Sequence, residues 1–184
     1  MTTLTKRILV AESRDMDFSD DDLAQYELIN GELVRKSSPA PKHQIISGNL
    51  FREIDKIMRE KNLGIVYAPV DVFFNDYNLV QPDVLFITTA RRDIITNDGV
   101  AGAPHLAVDI ISPLSVVRDR VDKLKLYERF GVKEYWLIDA QNASAEIYLN
   151  TPNGYEIFSA ATLDGKIASS VLNEFSIELK MLFS

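Results

Sequence analysis

Residues 105–111, with the sequence HLAVDII, and residues 80–87, with the sequence VQPDVLFI, are the stretches that decide the fold of this chain. Each is apolar at almost every position, which is the pattern of a central strand covered on both faces of a sheet. Each also contains one aspartate, Asp109 in the first stretch and Asp83 in the second. Because a carboxylate withdrawn from water without a partner is costly, the two positions predict a partner, a bound metal or a raised pKa.

The two aspartates can act together if their strands are neighbours. Alternate residues of a strand share a face, so both carboxylates could then meet at one end of the sheet. Mg²⁺ binds through one or two carboxylates together with water and substrate phosphate, polarises the phosphoryl oxygen and supplies a hydroxide-like nucleophile. Lys123, on a predicted helix after the second strand, could orient the attacking water or neutralise charge on the phosphate. The combination of Asp83, Asp109 and Lys123 therefore indicates a metal-dependent hydrolytic site.

Each of these residues also has an ordinary structural interpretation. Asp83 could cap the end of a strand or accept a hydrogen bond from a loop backbone, and Asp109 could form an ion pair with Arg118 or Lys123. Lys123, taken alone, is typical of a solvated helix lysine that pairs with Asp119 one turn earlier. The residues by themselves leave these alternatives open.

The composition is that of an ordinary globular protein. The 184 residues favour one domain, with 46% hydrophobic and 26% charged residues. No apolar run approaches the roughly 18 residues of a membrane span, and the beginning of the sequence does not have the pattern of a signal peptide. The absence of cysteine excludes disulfides, thiolate metal sites and a cysteine nucleophile. We expect a cytoplasmic protein.

The charge balance is acidic, with a formal net charge of −7 and a sequence pI of about 4.9. This counts against tight nonspecific binding of DNA by a monomer, because nucleic-acid-binding domains are usually basic. Local basic strips, such as Arg35-Lys36 with Lys42, are still compatible with contact to phosphate.

The order of predicted elements is that of an α/β fold. We expect an N-terminal arm over residues 1–22, partly flexible and leading into a short helix capped by Ser19, followed by one domain over 23–184. Asn30-Gly31 between apolar residues predicts a hairpin. The remaining expectations are a helix over 43–60, strands over 65–74 and 79–87, a loop over 90–104, a strand over 105–111, a helix over 115–130 ended by Gly131, a strand over 134–139, two strands around Asn153-Gly154, and a last strand with a closing turn near 179–183.

Several separate motifs give the chain a resemblance to a known family. They are YELINGELV at 26–34, SPA at 38–40 with HQ at 43–44, PDV at 82–84, VDIISP at 108–113, DKLKLY at 122–127 and GVKEYWLID at 131–139. In order and spacing, from about residue 20 to the C-terminus, they resemble the Uma family of restriction-endonuclease-like proteins, part of the PD-(D/E)xK nuclease superfamily.

The resemblance implies a fold and an activity. The implied fold is a restriction-endonuclease-like core, a mixed central β-sheet flanked by helices with additional C-terminal strands. The implied activity is Mg²⁺-dependent cleavage of phosphodiester bonds, with Mn²⁺ as a possible substitute. DNA is the expected substrate, and a homodimer is expected because two active sites suit the two strands of a duplex. Hydrolysis of RNA or of a small phosphoester, and a catalytically inactive binding or regulatory protein on the same fold, are the alternatives.

The resemblance also assigns roles to residues. Asp83 matches the aspartate of the PD element, and Asp109 stands where the family usually has glutamate; both would bind the metal. Lys123 matches a lysine displaced onto the following helix, whereas the parent superfamily has it at the place of Ile111. Glu32 matches an acidic residue that would complete the site.

One of the two histidines lies within a motif of the resemblance. His43 lies at the predicted start of a helix and matches a family position, so it could contact phosphate. A cap of the helix or a hydrogen bond to the preceding loop is the interpretation that we favour.

Overall fold

The structure, a computed structural model, describes residues 7–14, 26–36 and 38–184. Most of the expected N-terminal arm, and the beginning of the short helix expected after Ser19, lie outside the described residues. Within the arm, a short helix spans Val10–Arg14.

The described elements are arranged in two six-stranded sheets and one two-stranded sheet. The helices are α1 (Val10–Arg14), α2 (Pro41–Lys61), α3 (Leu124–Phe130) and α4 (Leu179–Phe183), with a 3-10 helix over Thr89–Ile94 and a π-helical segment over Arg118–Lys123. The strands are β1 (Tyr26–Ile29), β2 (Glu32–Arg35), β3 (Gly64–Tyr67), β4 (Val72–Asn75), β5 (Asn78–Val80), β6 (Val84–Thr88), β7 (Ile95–Thr96), β8 (Gly99–Ala101), β9 (Leu106–Ile111), β10 (Glu134–Asp139), β11 (Ser144–Thr151), β12 (Gly154–Thr162), β13 (Lys166–Ala168) and β14 (Ser176–Glu178).

The main sheet has the strand order β12-β11-β10-β9-β6-β3. Only β9 and β10 run parallel to each other, so the sheet is mixed. One face is covered by α2 through Ile46, Leu50 and Ile54, and the other is covered by Leu126 and Tyr127 of α3. Because β9 is buried on both faces, its sequence is almost continuously apolar. The expected mixed central sheet flanked by helices is confirmed.

The second sheet has the order β2-β1-β5-β4-β8-β7 and contains the expected hairpin. Asn30 and Gly31 connect β1 to β2 with φ angles of 55° and 82°. A two-residue turn in which both residues have positive φ suits the right-handed twist of the flanking strands, which explains the preference for Asn-Gly.

Three expectations about the middle of the chain are wrong. The run over 65–74 is divided into β3 and β4, and the run over 79–87 is divided into β5 and β6. In each case the first and second halves belong to different sheets, and a proline, Pro69 or Pro82, lies in the break. Proline has no N–H to give to a strand ladder, so it interrupts an apolar run. The expected loop over 90–104 contains most of the 3-10 helix, β7 and β8.

The helix after β9 begins in an unusual conformation. Its first part, Arg118–Lys123, is π-helical, and its second part, α3, ends at Gly131 with φ 79° as expected. The π-helical segment buries Asp119 and Lys123. Single π-helical turns inside helices often lie at functional sites.

The chain ends with β13, β14 and α4, which pack against the α2 side of the main sheet. The expected additional C-terminal strands are therefore confirmed. None of the helices in the described part of the chain is both long enough and apolar enough to cross a membrane.

Candidate active site

A cleft of about 810 Å³ opens beside the carboxyl ends of β9 and β10. In open α/β sheets, ligands bind outside the carboxyl ends of the parallel strands. The walls of the cleft are the beginning of α2, the segment before β6, the turn after β9 and the turn after β10. Its lining includes both strand aspartates and several cationic or polar side chains: Lys36, Lys42, His43, Gln81, Asp83, Asp109, Arg118 and Asp119.

Asp83 lies just before β6, at the point where this strand meets the wall of the cleft. Its backbone N–H donates to the carbonyl oxygen of Val108, and its Oδ2 accepts a hydrogen bond of 2.7 Å from the N–H of Ile110. The same oxygen lies 3.1 Å from Nε2 of His43. The residue is 8% exposed. The strand-end hydrogen bond anticipated for Asp83 is thus present, and it holds the carboxylate at the cleft.

Asp109 lies in β9, nearly buried at 3% exposure. Its Oδ1 accepts a 2.7 Å hydrogen bond from Nζ of Lys123. Its Oδ2 accepts hydrogen bonds from the hydroxyl groups of Tyr135, at 3.0 Å, and Tyr127, at 3.3 Å. The carboxylate is therefore fixed by donors from β10 and from the helix on its own side of the sheet.

Lys123 is buried at 1% exposure, and its amine joins two carboxylates. Besides Asp109, its Nζ contacts Oε1 of Glu27 at 2.8 Å. The interpretation as a solvated lysine paired with Asp119 is wrong, and the expected ion pair with Asp109 is present. Lys123 does not line the cleft itself, so it acts on the cleft through its hydrogen bond to Asp109.

Glu32 is not brought to this cluster. It is exposed at the beginning of β2, and its carboxylate contacts none of Asp83, Asp109 and Lys123. Glu27, in β1 of the same hairpin, is buried instead and also accepts a 2.8 Å hydrogen bond from the N–H of Gln81. Its other oxygen, Oε2, is buried without a hydrogen-bond partner among the described residues, and it lies 3.6 Å from Nε of Arg118.

The π-helical segment supplies a second ion pair. Nε of Arg118 lies 2.9 Å from Oδ1 of Asp119, and both residues line the cleft. The carbonyl oxygen of Asp119 also lies 3.1 Å from the hydroxyl group of Tyr135. This hydroxyl group connects the π-helical backbone to Asp109.

The two aspartates have pKa values shifted in opposite directions. Burial raises the pKa of Asp109 to about 6; Lys123 opposes this shift, while the negative charges of Asp119 and Asp83 add to it. Burial also acts to raise the pKa of Asp83, but His43 and the N–H of Ile110 outweigh it and hold the pKa below its ordinary value. Opposite shifts of neighbouring acids are typical of functional sites, although structural ion pairs produce them too.

Lys123 and Glu27, the second carboxylate that its amine contacts, both remain charged. Burial acts to lower the pKa of Lys123, but Asp109 and Glu27 outweigh it and raise that pKa above its ordinary value. Burial likewise acts to raise the pKa of Glu27, and the positive charges of Lys123, Lys36 and Arg118 lower it below its ordinary value. The cluster is thus a network of ionised groups rather than a neutral polar core.

His43 does not cap α2, contrary to the interpretation that we favoured. The helix begins after Ala40 without a hydrogen bond from a side chain in the described part of the chain, and Nε2 of His43 faces Asp83 instead. Its Nδ1 is buried and has no hydrogen-bond partner among the described residues. His43 therefore belongs to the surroundings of Asp83.

The capacity of the site for a metal follows from its oxygen donors. Among residues 7–14, 26–36 and 38–184, no three Asp, Glu, His or Cys side chains come together in a way that could hold a metal ion. Mg²⁺ needs fewer protein ligands, because one or two carboxylates with water and phosphate suffice. Asp83 and Asp109 line one cleft, and a cation there would offset the burial and the neighbouring negative charges that raise the pKa of Asp109. The donor set fits Mg²⁺ or Mn²⁺.

Comparison with known families identifies the chain. Residues 10–180 match the family described as Uma2, putative restriction endonuclease. This chain belongs to the Uma2 family. The resemblance seen in the sequence motifs is confirmed, and the matched family is described as one of putative restriction endonucleases. A search of curated proteins finds no match.

A solved structure has the same fold as this Uma2 chain. It is a putative nuclease of the DUF820 family from Anabaena variabilis ATCC 29413, with a TM-score of 0.77 and 20% sequence identity. The match covers 96% of this chain and 97% of that one. At this identity the likeness establishes the fold over nearly the whole length of both chains.

Three partners in the Uma2 site are not identified by the sequence motifs. Glu27 lies in the same hairpin motif as Glu32, to which the resemblance assigns the acidic role. Tyr127 and Tyr135 are both fully buried, and their hydroxyl groups bind Asp109. A glutamate between apolar residues of a predicted strand, as in Tyr26-Glu27-Leu28, was the one available signal for a buried charge.

Proposed function

We propose that this Uma2 protein is a Mg²⁺-dependent endonuclease that hydrolyses phosphodiester bonds of DNA in the cleft beside β9 and β10. The observation that carries the proposal is that Asp83 and Asp109 line the same cleft, while the buried amine of Lys123 binds Asp109. Membership of a nuclease family supports the choice of reaction.

Each charged residue has a proposed role. Asp83 and Asp109 would hold Mg²⁺, with Mn²⁺ as a substitute, and the bound ion would polarise the phosphoryl oxygen and lower the pKa of a water molecule. Lys123 holds the Asp109 carboxylate in a fixed orientation. Glu27 also binds the amine of Lys123, so we assign to Glu27 the supporting role expected for Glu32.

Cationic groups of the cleft offer contacts to a phosphate that approaches the acids. Lys36, Lys42 and Arg118 line the cleft, and α2 begins there with its N-terminus. The free N–H groups and the dipole of a helix N-terminus favour an anion. These features offset locally the acidic balance of the whole chain.

A second candidate function is a catalytically inactive binding or regulatory protein. It is favoured by one observation, which is that Lys123, Tyr127 and Tyr135 already occupy both oxygens of Asp109. Calorimetric titration with Mg²⁺ or Mn²⁺ separates the two functions. Binding at millimolar metal supports the nuclease, and absence of heat at that concentration supports the inactive protein.

The direct test of the nuclease is cleavage of supercoiled plasmid DNA with and without Mg²⁺. We expect cleavage that EDTA abolishes and that Asp83→Asn reduces by at least about 100-fold, with Asp98→Asn, an exposed acid outside the cleft, as the matched control. Cleavage that persists in Asp83→Asn would contradict the proposed roles. We further propose a homodimer, which sedimentation analysis would detect as twice the 20.8 kDa of one chain.

A further inference from the structure

We propose that a small cavity beside the Asn30-Gly31 turn binds a phosphate group, at a site apart from the cleft. The cavity has a volume of about 300 Å³ and, among the described residues, has no lining residue in common with the cleft. Its lining consists of two arginines, three asparagines and two aromatic residues: Arg7, Asn30, Asn75, Tyr77, Asn78, Arg129 and Phe130. A phosphate bound there need not react, so the site is independent of the proposed nuclease activity.

The first observation is the charge of the lining. Arg7 and Arg129 both line the cavity, whereas no carboxylate of the described residues does. Neither guanidinium lies within ion-pair distance of an Asp or Glu in the described part of the chain. Two arginines without an acidic partner meet here in a chain whose formal net charge is −7. The planar fork of a guanidinium matches the oxygens of a phosphate.

The second observation is the orientation of the three amides. Oδ1 of Asn75 accepts hydrogen bonds from the backbone N–H of Tyr77, at 2.9 Å, and from Nδ2 of Asn78, at 2.8 Å. Oδ1 of Asn78 accepts one of 2.8 Å from the backbone N–H of Asn30. Oδ1 of Asn30 accepts one of 2.9 Å from the guanidinium of Arg129. Because a backbone N–H and a guanidinium can only donate, these bonds fix which end of each amide is the oxygen.

The amides therefore offer N–H groups to the cavity. All three amide oxygens are engaged within the protein, and Asn78 is itself 2% exposed. The Nδ2 groups of Asn30 and Asn75 donate to no acceptor among the described residues, so they can donate to a ligand. Amide donors beside two cations select a ligand that is negatively charged and rich in acceptor oxygens.

The third observation is that both arginines are held in place. The backbone N–H of Ile8 donates to the carbonyl oxygen of Gly31 at 2.9 Å, which brings Arg7 against the turn. A Cβ on Gly31 would lie 2.7 Å from Cβ of Arg7, so the approach requires glycine. The guanidinium of Arg129 lies 4.7 Å from the ring centroid of Phe130. Donors that are positioned before a ligand arrives lose less conformational entropy when they bind it.

The size of the cavity and the number of donors favour phosphate over other anions. A volume of about 300 Å³ is at the lower end of the range for small-ligand sites, so it suits a phosphate group with a small substituent. A phosphate can accept from two guanidinium groups and from amides at once, whereas a carboxylate has only two oxygens. A small phosphate compound and the backbone of a nucleic acid both present this group.

Calorimetric titration of the full chain with inorganic phosphate in EDTA tests the site. We expect binding at millimolar phosphate, and we expect Arg7→Gln and Arg129→Gln each to weaken it by at least about tenfold, because each removes charged hydrogen bonds. Arg59→Gln, at an exposed arginine of α2, is the matched control and should bind as the wild type does. Absence of binding by the wild type, or unchanged affinity in the double variant of Arg7 and Arg129, would overturn the proposal.

Nuclear magnetic resonance of the wild type locates the bound phosphate without any substitution. The side-chain amide resonances of Asn30 and Asn75 should shift as phosphate is added, and they should shift equally in Lys42→Gln, which alters the cleft. If neither amide shifts, or if Lys42→Gln abolishes the binding, the phosphate lies elsewhere and the proposal fails.

Fluorescence anisotropy with a labelled DNA duplex in EDTA identifies the source of the phosphate. If the double variant of Arg7 and Arg129 binds the duplex at least about tenfold more weakly than the wild type, the site takes a backbone phosphate. Equal affinity, or no binding of the duplex by either protein, assigns the site to a small phosphate compound. Both results leave the test of plasmid cleavage unaffected, because that test concerns the cleft.

Discussion

Nζ of Lys123 lies 2.7 Å from Oδ1 of Asp109, and the side chains are only 1% and 5% exposed. The lysine comes from the π-helical segment after β9, not from β9 itself. The strand position two residues after Asp109 is Ile111, a buried core residue. The π-helical segment therefore provides the cation that binds Asp109, because β9 has an apolar residue at the corresponding position. This ion pair joins a buried side chain, Lys123, to a residue that lines the cleft.

Replacing Lys123 should destabilise the protein as well as impair cleavage. Lys123→Met leaves Asp109 and Glu27 buried without their shared cation, and removal of one partner of a buried ion pair costs about 3–5 kcal/mol. Urea unfolding measures the loss. Lys180→Met, at an exposed lysine of α4, should leave the midpoint nearly unchanged. A Lys123→Met protein as stable as the parent would show that the ion pair is not formed in solution.

Glu27 and Glu32 form a matched pair within one hairpin. We expect Glu27→Gln to lower the free energy of unfolding by about 2 kcal/mol, because it weakens a charged hydrogen bond to Lys123, and to reduce cleavage. Glu32→Gln should change stability by less than about 0.5 kcal/mol and leave cleavage intact, since Glu32 is exposed. Both are measured by urea unfolding and plasmid cleavage; the reverse order of effects would restore Glu32 to the site.

We expect His43 to hold the carboxylate of Asp83 in the orientation that binds the metal. Removal of the imidazole in His43→Ala frees Oδ2 of Asp83 from one of its partners. Loss of a residue that orients a metal ligand typically lowers metal affinity or activity by about 10–100-fold. Calorimetry with Mn²⁺ measures the affinity, and Lys56→Ala, at an exposed residue of α2 outside the cleft, is the control. An unchanged affinity in His43→Ala would show that Asp83 needs no support from the helix.

The raised pKa of Asp109 predicts a pH dependence in the metal-free protein. Its folded pKa of about 6 exceeds the ordinary value of 3.8, so between these values the folded state binds more protons than the unfolded state. The contribution of Asp109 to stability is therefore full below about pH 4 and is lost as the pH rises through about 6. We expect the free energy of unfolding of the wild type, relative to Asp109→Asn, to fall between pH 4 and 6 in EDTA. A difference that rises over this range would contradict the assignment.

How much of the fold the sequence predicts depends on where apolar periodicity is interrupted. The long helix α2, the hairpin at Asn30-Gly31 and the strands β9 and β10 were all predicted, because each has a complete local signal. The runs around Pro69 and Pro82 were not divided correctly. Local hydrophobicity is the same on both sides of each proline, and assignment of the halves to different sheets is decided by tertiary packing.

The candidate site shows a similar limit. Asp83, Asp109 and Lys123 stand out because a charge within an apolar pattern is visible in the sequence. The roles of Glu27 and Tyr135 depend on which side chains meet across separate elements, and nothing in local spacing reports this. The π-helical turn, which accompanies the burial of Lys123, likewise does not follow from the spacing of apolar residues along this helix.

The proposed function requires Asp83 and Asp109 to bind one divalent cation in the cleft. Anomalous diffraction from a crystal soaked in Mn²⁺ measures this. We predict one ion within about 2.0–2.3 Å of a carboxylate oxygen of each aspartate, with water completing its coordination. A crystal with the cleft open to solvent, millimolar Mn²⁺ and no anomalous peak between Asp83 and Asp109 would rule out the shared metal site.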